Sequence, residues 1–518
     1  VAVTIATCVR IALDGVTLRL SVGGARRIDT GTLYTWSDRV TALSVSTELG
    51  AADQALQPPS TCTITIDDAD GWIDQYLPGG SAAERWINRR VDVYTGGSEG
   101  GNITAMDRLY SGYVPIGGLT VGRTSITLRL ADLRDGQDVA IGGGVITSAL
   151  YPAAPDSSIG LPIPWIIGDY TALTVSEALP AVSVSGETGN VIYKIGSTPL
   201  AVGTLTVWVN GVITVPTSIN YPVAQFTMAG IVSGDVVTCS GTFYAVADGG
   251  AASWHPVDVV LWILQTLCGV AAGDIDAASF VQAKLDGDAV AVRRYAATAL
   301  TAFNEINELC FEAGYNIWIT GGRYTIMWFS PIPGAATAIG DGQIGDATLG
   351  TEIDPDRMYC NRLTALYDNH YGGVARQIVY DDTTEQASFG RVVNRDLIYD
   401  WLYGASDVTL ALQRRLYYWR QSPATVSLTC QVTGSNDALY SLSLQQNISI
   451  TSGRLSAANC WVRSLTIDAV RWIINVGAVN LGSVDNIGVW DAAVATVPGP
   501  GYWGAAVEPD GVPDTVWW

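Results

Sequence analysis

Thr61-Cys62-Thr63-Ile64-Thr65-Ile66-Asp67-Asp68-Ala69-Asp70-Gly71 sets the pattern for the first part of the chain. Cys62, Ile64 and Ile66 alternate with threonines, the period-two spacing of a strand with one buried and one wet face. The Asp/Gly run after it is turn chemistry. Two further segments repeat the spacing. In Arg90–Tyr94, Val91 and Val93 face one way, and in Ser125–Leu130, Ile126, Leu128 and Leu130 point inward while Thr127 and Arg129 point outward. Such alternation belongs to a barrel or sandwich rather than to a parallel α/β sheet. Glycines at 142–144 mark a first boundary.

Beyond that boundary the β pattern continues over 160–250, where Val207-Trp208-Val209-Asn210-Gly211-Val212-Ile213-Thr214 predicts a hairpin closed by an Asn-Gly turn. Lys194 is the one cation of this block, which reads as a small separate module. Helices follow. Ser253 is placed to cap the first, with Pro256 in its opening turn and Val260, Ile263, Leu264 and Leu267 on one stripe. Asp276 caps a second, through Leu285. A third runs from Ala297 to a stop at Gly314, with Leu300, Phe303, Ile306, Leu309 and Cys310 spaced by three or four. The strands Tyr315–Thr320 and Tyr324–Phe329 then join across Gly321-Gly322. From 355 to 468 the β pattern returns in Leu363–Tyr367, Gln377–Tyr380, Thr425–Val432, Ser441–Ile450 and Trp461–Ile467. One helix interrupts it, started by Ser406 or Asp407 and carrying Val408, Leu412, Leu416 and Trp419. The end of the chain has no cation after Arg471, and Pro498 to Pro513 read as an extended arm.

Composition bounds the function. The chain has 518 residues, room for several domains at about 150 residues each. It is 48% hydrophobic and only 15% charged, which excludes a disordered chain. Its 28 Lys+Arg against 49 Asp+Glu give a net charge of −21, which weighs against a cationic face for duplex DNA. A channel past which DNA slides would tolerate that sign. The most apolar window, Val259 to Gly273, has 15 residues, short of the ~20 that a spanning helix needs. The start, Val1-Ala2-Val3-Thr4, lacks a basic region and Arg10 breaks its apolar stretch, so no secretory signal is expected.

Candidate chemistry is sparse. The eight cysteines, at 8, 62, 239, 268, 310, 360, 430 and 460, are scattered without a CxxC pair. They read as buried core in a protein assembled in a reducing cytoplasm. Only two histidines exist, His255 before Pro256 and His370 in a polar turn, and both read as structural. Asp67, Asp68, Asp70 and Asp74 fail as a calcium loop, because Ile66 would occupy its first ligand position. They read instead as a strand end entering a turn. No catalytic residue, cofactor site or metal site is expected.

Several segments, in order, resemble the hub proteins of phage tails, the baseplate-hub or tail-tip family with two related β-barrels. The residues that carry the resemblance are the strand and turn Ile64–Trp72, the strand Arg89-Arg90-Val91-Asp92-Val93-Tyr94, the step Leu109-Tyr110-Ser111-Gly112-Tyr113-Val114, and the corner Ala131-Asp132-Leu133. Pro162-Ile163-Pro164-Trp165-Ile166-Ile167-Gly168, Ile275-Asp276-Ala277-Ala278-Ser279-Phe280 and a strand over 361–367, which would open the second barrel, continue it. The Cys cluster by which some tail-tip proteins hold an iron–sulfur centre is not matched. The resemblance implies a homotrimer in which two barrels per subunit give six quasi-equivalent barrels around a DNA channel. It implies a distal tail protein or tail tube above, and a central tip or fibre protein below. A tape measure protein could be a further partner. Sequence-specific nucleic-acid binding and a membrane span are not implied, and the place is the virion tail, assembled in the bacterial host cytoplasm.

The expected fold is therefore mainly β: two β-barrel-like domains with a small β insertion, a short helical segment and an extended C-terminal arm. The expected limits are 1–145 for the first barrel, 160–250 for the insertion, 251–335 for the helical and hairpin segment, 336–470 for the second barrel and 471–518 for the arm. Residues 30–140 and 355–455 are expected to fold alike, given the openings Arg39-Val40-Thr41-Ala42-Leu43 and Arg362-Leu363-Thr364-Ala365-Leu366. Trp490, Trp503, Trp517 and Trp518 are the candidate partner-binding residues, since large aromatics on an extended arm make anchors. The function expected is a non-enzymatic structural hub. The alternative is an extracellular carbohydrate-binding or glycan-hydrolysing β protein.

Overall fold

A computed structural model describes residues 4–480, apart from 30–31, 50–54, 99–101, 104–105, 135, 143, 244–245, 249–250, 288–289, 330–335, 351–358, 369–374, 420–424, 435–436 and 453–454. Beyond 480 it describes only 506–507 and 513–514. The fold is mainly β. Among the described residues one hydrogen-bonded sheet gathers 17 strands in two sets.

The first set is antiparallel along its main path. Val40–Glu48 pairs with Thr61–Asp67, and that strand with Ser125–Asp132. Asp107–Tyr113, Arg90–Ser98, Thr4–Ala12 and Thr17–Ser21 then follow in turn. The alternation read from sequence is the burial observed: Cys62, Ile64 and Ile66 face the core beside Ile126, Leu128 and Leu130. The second set runs Thr337–Gly340, Asn447–Ser452, Leu455–Asp468, Ile473–Asn480, Thr425–Gln431, Ile344–Gly350. Ile473–Asn480 lies within the range expected to be an arm. Ile474, Val476 and Ala478 alternate into the core, and that burial keeps the strand in the sheet.

The expected opening of the second barrel at 361–367 is not what the fold contains. Arg362–Tyr367 pairs with Arg376–Asp381 and, in parallel, with Asn394–Ile398, in a separate three-stranded sheet. Leu363, Ala365 and Tyr367 pack there with Val408, Leu412 and Leu416 of a helix at Ala405–Trp419. Segment 355–455 is thus divided between two sheets and does not repeat the strand order of 30–140. The two similar five-residue openings lead into different sheets.

Helices α1 (Pro256–Trp262), α2 (Ala277–Asp286), α3 (Ala302–Ala313), α4 (Thr383–Phe389) and α5 (Ala405–Trp419) are α-helical. Asp276 caps α2, and Gly314, at φ 79°, ends α3. The cap of α1 is His255 rather than Ser253, because 251–253 is drawn into a short strand. α3 begins five residues later than its apolar spacing suggested. Leu300-Thr301 pairs with Ala140-Ile141, and the Thr301 hydroxyl then caps the helix. Helices α1, α2, α3 and α5, the three-stranded sheet and the hairpin Tyr315–Trp328 share one core with Trp165, Trp401 and Trp419.

The insertion is a small two-sheet unit with its own core of Tyr170, Val191, Phe226, Met228, Cys239 and Phe243. Its Asn210-Gly211 turn has φ 50° and 82°, the double left-handed geometry of a tight hairpin. Among the described residues no helix is long and apolar enough to cross a membrane.

Candidate functional site

The described residues among those that sequence analysis weighed for chemistry are engaged in structure. All eight cysteines are free, and seven are buried. Burial pushes their thiols up, to about 11 for Cys268 and about 12 for Cys8, where Arg27 opposes it only in part. Such thiols stay protonated and unreactive. His255 Nδ1 accepts from Val257 N–H (3.3 Å) as a helix cap, with its ring edge-on to Tyr315. His370 lies outside the described residues. Among the described residues no group of three or more His, Cys, Asp or Glu is placed to hold a metal.

The Asp67–Asp74 cluster is a braced turn. Arg39 donates to both oxygens of Asp70 (2.8 and 2.7 Å) and lies over the Trp72 ring, while Asp68 accepts from Ile73 N–H (2.7 Å). The Arg39 hydrogen bond and the Trp72 N–H bring Asp70 down to about 2. Burial, foremost, raises Asp68. Asp68, Asp70 and Arg39 thus shape the corner.

What the sequence could not locate is the seam between the two strand sets. Val40–Glu48 pairs antiparallel with Leu455–Asp468, over Ser44↔Asp468 to Glu48↔Ser464. The Ser46 and Thr466 hydroxyls hydrogen-bond across it (3.0 Å), and Ala469 N–H donates to Leu43 O (2.9 Å). Thr7 and Tyr440 add links to Ala469 O and to the Thr95 hydroxyl. A single buried cluster runs through both sets, from Val9 and Leu128 to Ile448 and Val476. The likeness of strand patterns was visible in the sequence. Which edge met which was not, because both candidate edges are ordinary alternating strands.

A second junction fixes the first set to the helical region. Asp92, buried, accepts from Ser111 (2.6 Å), Arg10 (2.6 Å) and Arg90 (3.1 Å). Burial alone would raise its pKa, but the Ser111 and Arg10 hydrogen bonds and the Arg90 charge hold it below the usual value. Arg90 also reaches Asp274 (3.0 Å). Arg108 donates to the carbonyls of Gly321 and Gly322 (2.6 and 2.8 Å). A Cβ at 321 would sit 2.5 Å from Arg108 O, and one at 322 would collide with the Ser111 side chain. Only glycines let the hairpin press so closely.

The candidate anchors Trp490, Trp503, Trp517 and Trp518 lie outside the described residues.

No family model and no curated protein matches the chain. Solved structures do resemble it in fold. A tail protein from Neisseria meningitidis is 9% identical over 92% of this chain and 96% of its own, with a TM-score of 0.42. The 43 kDa tail protein of prophage MuSo2 from Shewanella oneidensis is 10% identical, with 91% and 98% covered and a TM-score of 0.36. A type VI secretion component of E. coli, described as structurally similar to T4 bacteriophage tail proteins, is 9% identical over 92% of this chain and 77% of its own, at 0.31. The likeness to each of the three is one of fold, at low identity.

Proposed function

We propose that the chain is the structural hub of a phage tail tip: a homotrimer joining a sixfold tail tube to threefold tip components around a DNA channel. The observation that carries this reading is the seam, which fuses two barrel-like strand sets of one chain into one sheet over one core. Two such units held side by side give a trimer six of them, which is what a threefold object needs to meet a sixfold one. The order of strand and turn motifs that resembles the hub family supports the same reading. The excess of carboxylates suits a channel wall that repels phosphate and so does not retain DNA.

In this reading the insertion (160–250) and the helical segment sit outside the ring-forming units, and the residues after the last sheet strand lace the subunit to a neighbour. The test is stoichiometry. Light scattering on the purified chain is expected to give three times 54.8 kDa, and quantitative mass spectrometry of virions a few copies per particle. A monomer in both, or absence from virions, rejects the hub. A reconstructed ring whose lumen is electropositive rejects the acidic channel.

A further inference from the structure

We infer that the inserted module holds a binding site for a neutral saccharide, in a cavity of about 480 Å³ between the 155–164 loop, the module and the strand Arg294–Ala296. That volume falls within the ~300–1,000 Å³ typical of small-molecule sites. The walls come from distant parts of the chain, so no local motif announces them. Pro155, Pro164 and Pro180 give rigid apolar surface. Tyr193 is fixed by stacking on Phe226 (5.5 Å, 18° between planes), and Tyr295 is half-buried at the edge.

The polar groups select the ligand class. Glu187 is exposed and accepts from Ser157 Oγ (3.1 Å) on one of its two oxygens. Asp235 accepts from Asn210 Nδ2 (2.7 Å) and Val232 N–H (2.9 Å), and these, the backbone bond first, hold it below the ordinary carboxylate range. Ser158, Ser183 and Ser233 also line the cavity, and no lysine, arginine or histidine does.

An anion would meet two carboxylates with no cation to offset them. A purely apolar ligand would strand the hydroxyls and carboxylates. A cation would need the two carboxylates drawn together on it, and each is held elsewhere, Glu187 by Ser157 and Asp235 by Asn210 and Val232. A hydroxyl-rich neutral ring meets both needs. Its diols donate to the other carboxylate oxygen of Glu187 and exchange hydrogen bonds with the serines, while its C–H face packs on Tyr295 and the prolines.

The site is independent of the seam, so its failure leaves the hub reading intact. The test uses the full-length protein with the methyl glycosides of glucose, galactose and N-acetylglucosamine, followed by saturation-transfer NMR titration. At least one glycoside should give saturable transfer. Glu187→Gln should weaken it about tenfold, as for the loss of one charge-assisted hydrogen bond. Ser233→Trp, at an exposed position on the rim, should abolish it by filling the cavity while the circular dichroism spectrum is unchanged. No saturable transfer from any of the three, or binding that survives Ser233→Trp, overturns the proposal.

Discussion

Glu312 shows how much one side chain can hold. It sits at the C-terminal end of α3, fully buried, and its two oxygens accept from the backbone N–H of Asp400 (2.8 Å), Trp401 (2.8 Å) and Leu402 (3.0 Å). Burial pushes its pKa up to about 8, against those three donors, which favour the charged form. A folded value above the unfolded one means that folding takes up a proton. The associated stability is present in full below about pH 4.5 and is lost as pH rises through about 8. Glu312→Gln presents an amide NH₂ where at least one backbone N–H needs an acceptor. It should cost about 1–3 kcal/mol in urea unfolding, and the gap from wild type should narrow from pH 5 to pH 8. A gap that widens over that range would contradict the raised pKa. Nearby, Arg294 donates to both oxygens of Glu305 (2.8 and 2.9 Å) and pairs with Asp400 (2.6 Å). Removing Glu305 alone would leave that guanidinium buried with less than its full set of partners, so Glu305→Ala should destabilise by about 3–5 kcal/mol.

At the scale of elements, the hairpin Tyr315–Trp328 has a tightly constrained turn, since Gly321 and Gly322 are both left-handed (φ 55° and 67°) and pressed on Asp107–Tyr113. Gly322→Ala combines backbone strain with a collision at Ser111, and a loss of at least about 2 kcal/mol is expected. Gly390→Ala, also at positive φ (75°) but in open space, should cost only about 1 kcal/mol. Calorimetry on the two variants separates packing from strain. This hairpin was legible in the sequence, as were Asp276, Gly314 and the Asn210-Gly211 turn, because each rests on local backbone chemistry. The misplaced elements are those where a long-range contact prevails. Leu300-Thr301 is claimed by a strand partner 160 residues earlier, Ala140-Ile141, which delays α3. α4 escaped notice because its seven residues bury no side chain, and an apolar stripe is what a sequence reading detects. Arg362–Tyr367 has a strand pattern whichever sheet receives it, and only the apolar face of α5 decides that.

For the whole molecule, a core continuous through both strand sets implies that neither melts alone. Calorimetry should give a single transition for the two sets, and Leu465→Asp, at the seam where Leu465 is buried, should shift it as one unit. Two separated barrel transitions would mean that the seam is incidental. The candidate partner contact belongs to this scale too, and its argument is one of composition. Residues 482–518 carry Trp490, Trp503, Trp517 and Trp518 without a cation, and Pro498, Pro500, Pro509 and Pro513 alternate there with glycines at 499, 501, 504 and 511. Prolines at that density remove backbone donors, and the pairing described there, Ala506-Val507 with Pro513-Asp514, is only two residues long on each side, too short to shield the indoles. Burying each large aromatic stabilises by about 1.5–3 kcal/mol, so the favourable place for them is a groove on another subunit or tail protein. We therefore expect deletion of 498–518 to leave the melting transition of the isolated chain unchanged and to reduce incorporation into tail tips. Normal incorporation of the truncated chain, or loss of its transition, would show that these residues are not an assembly anchor.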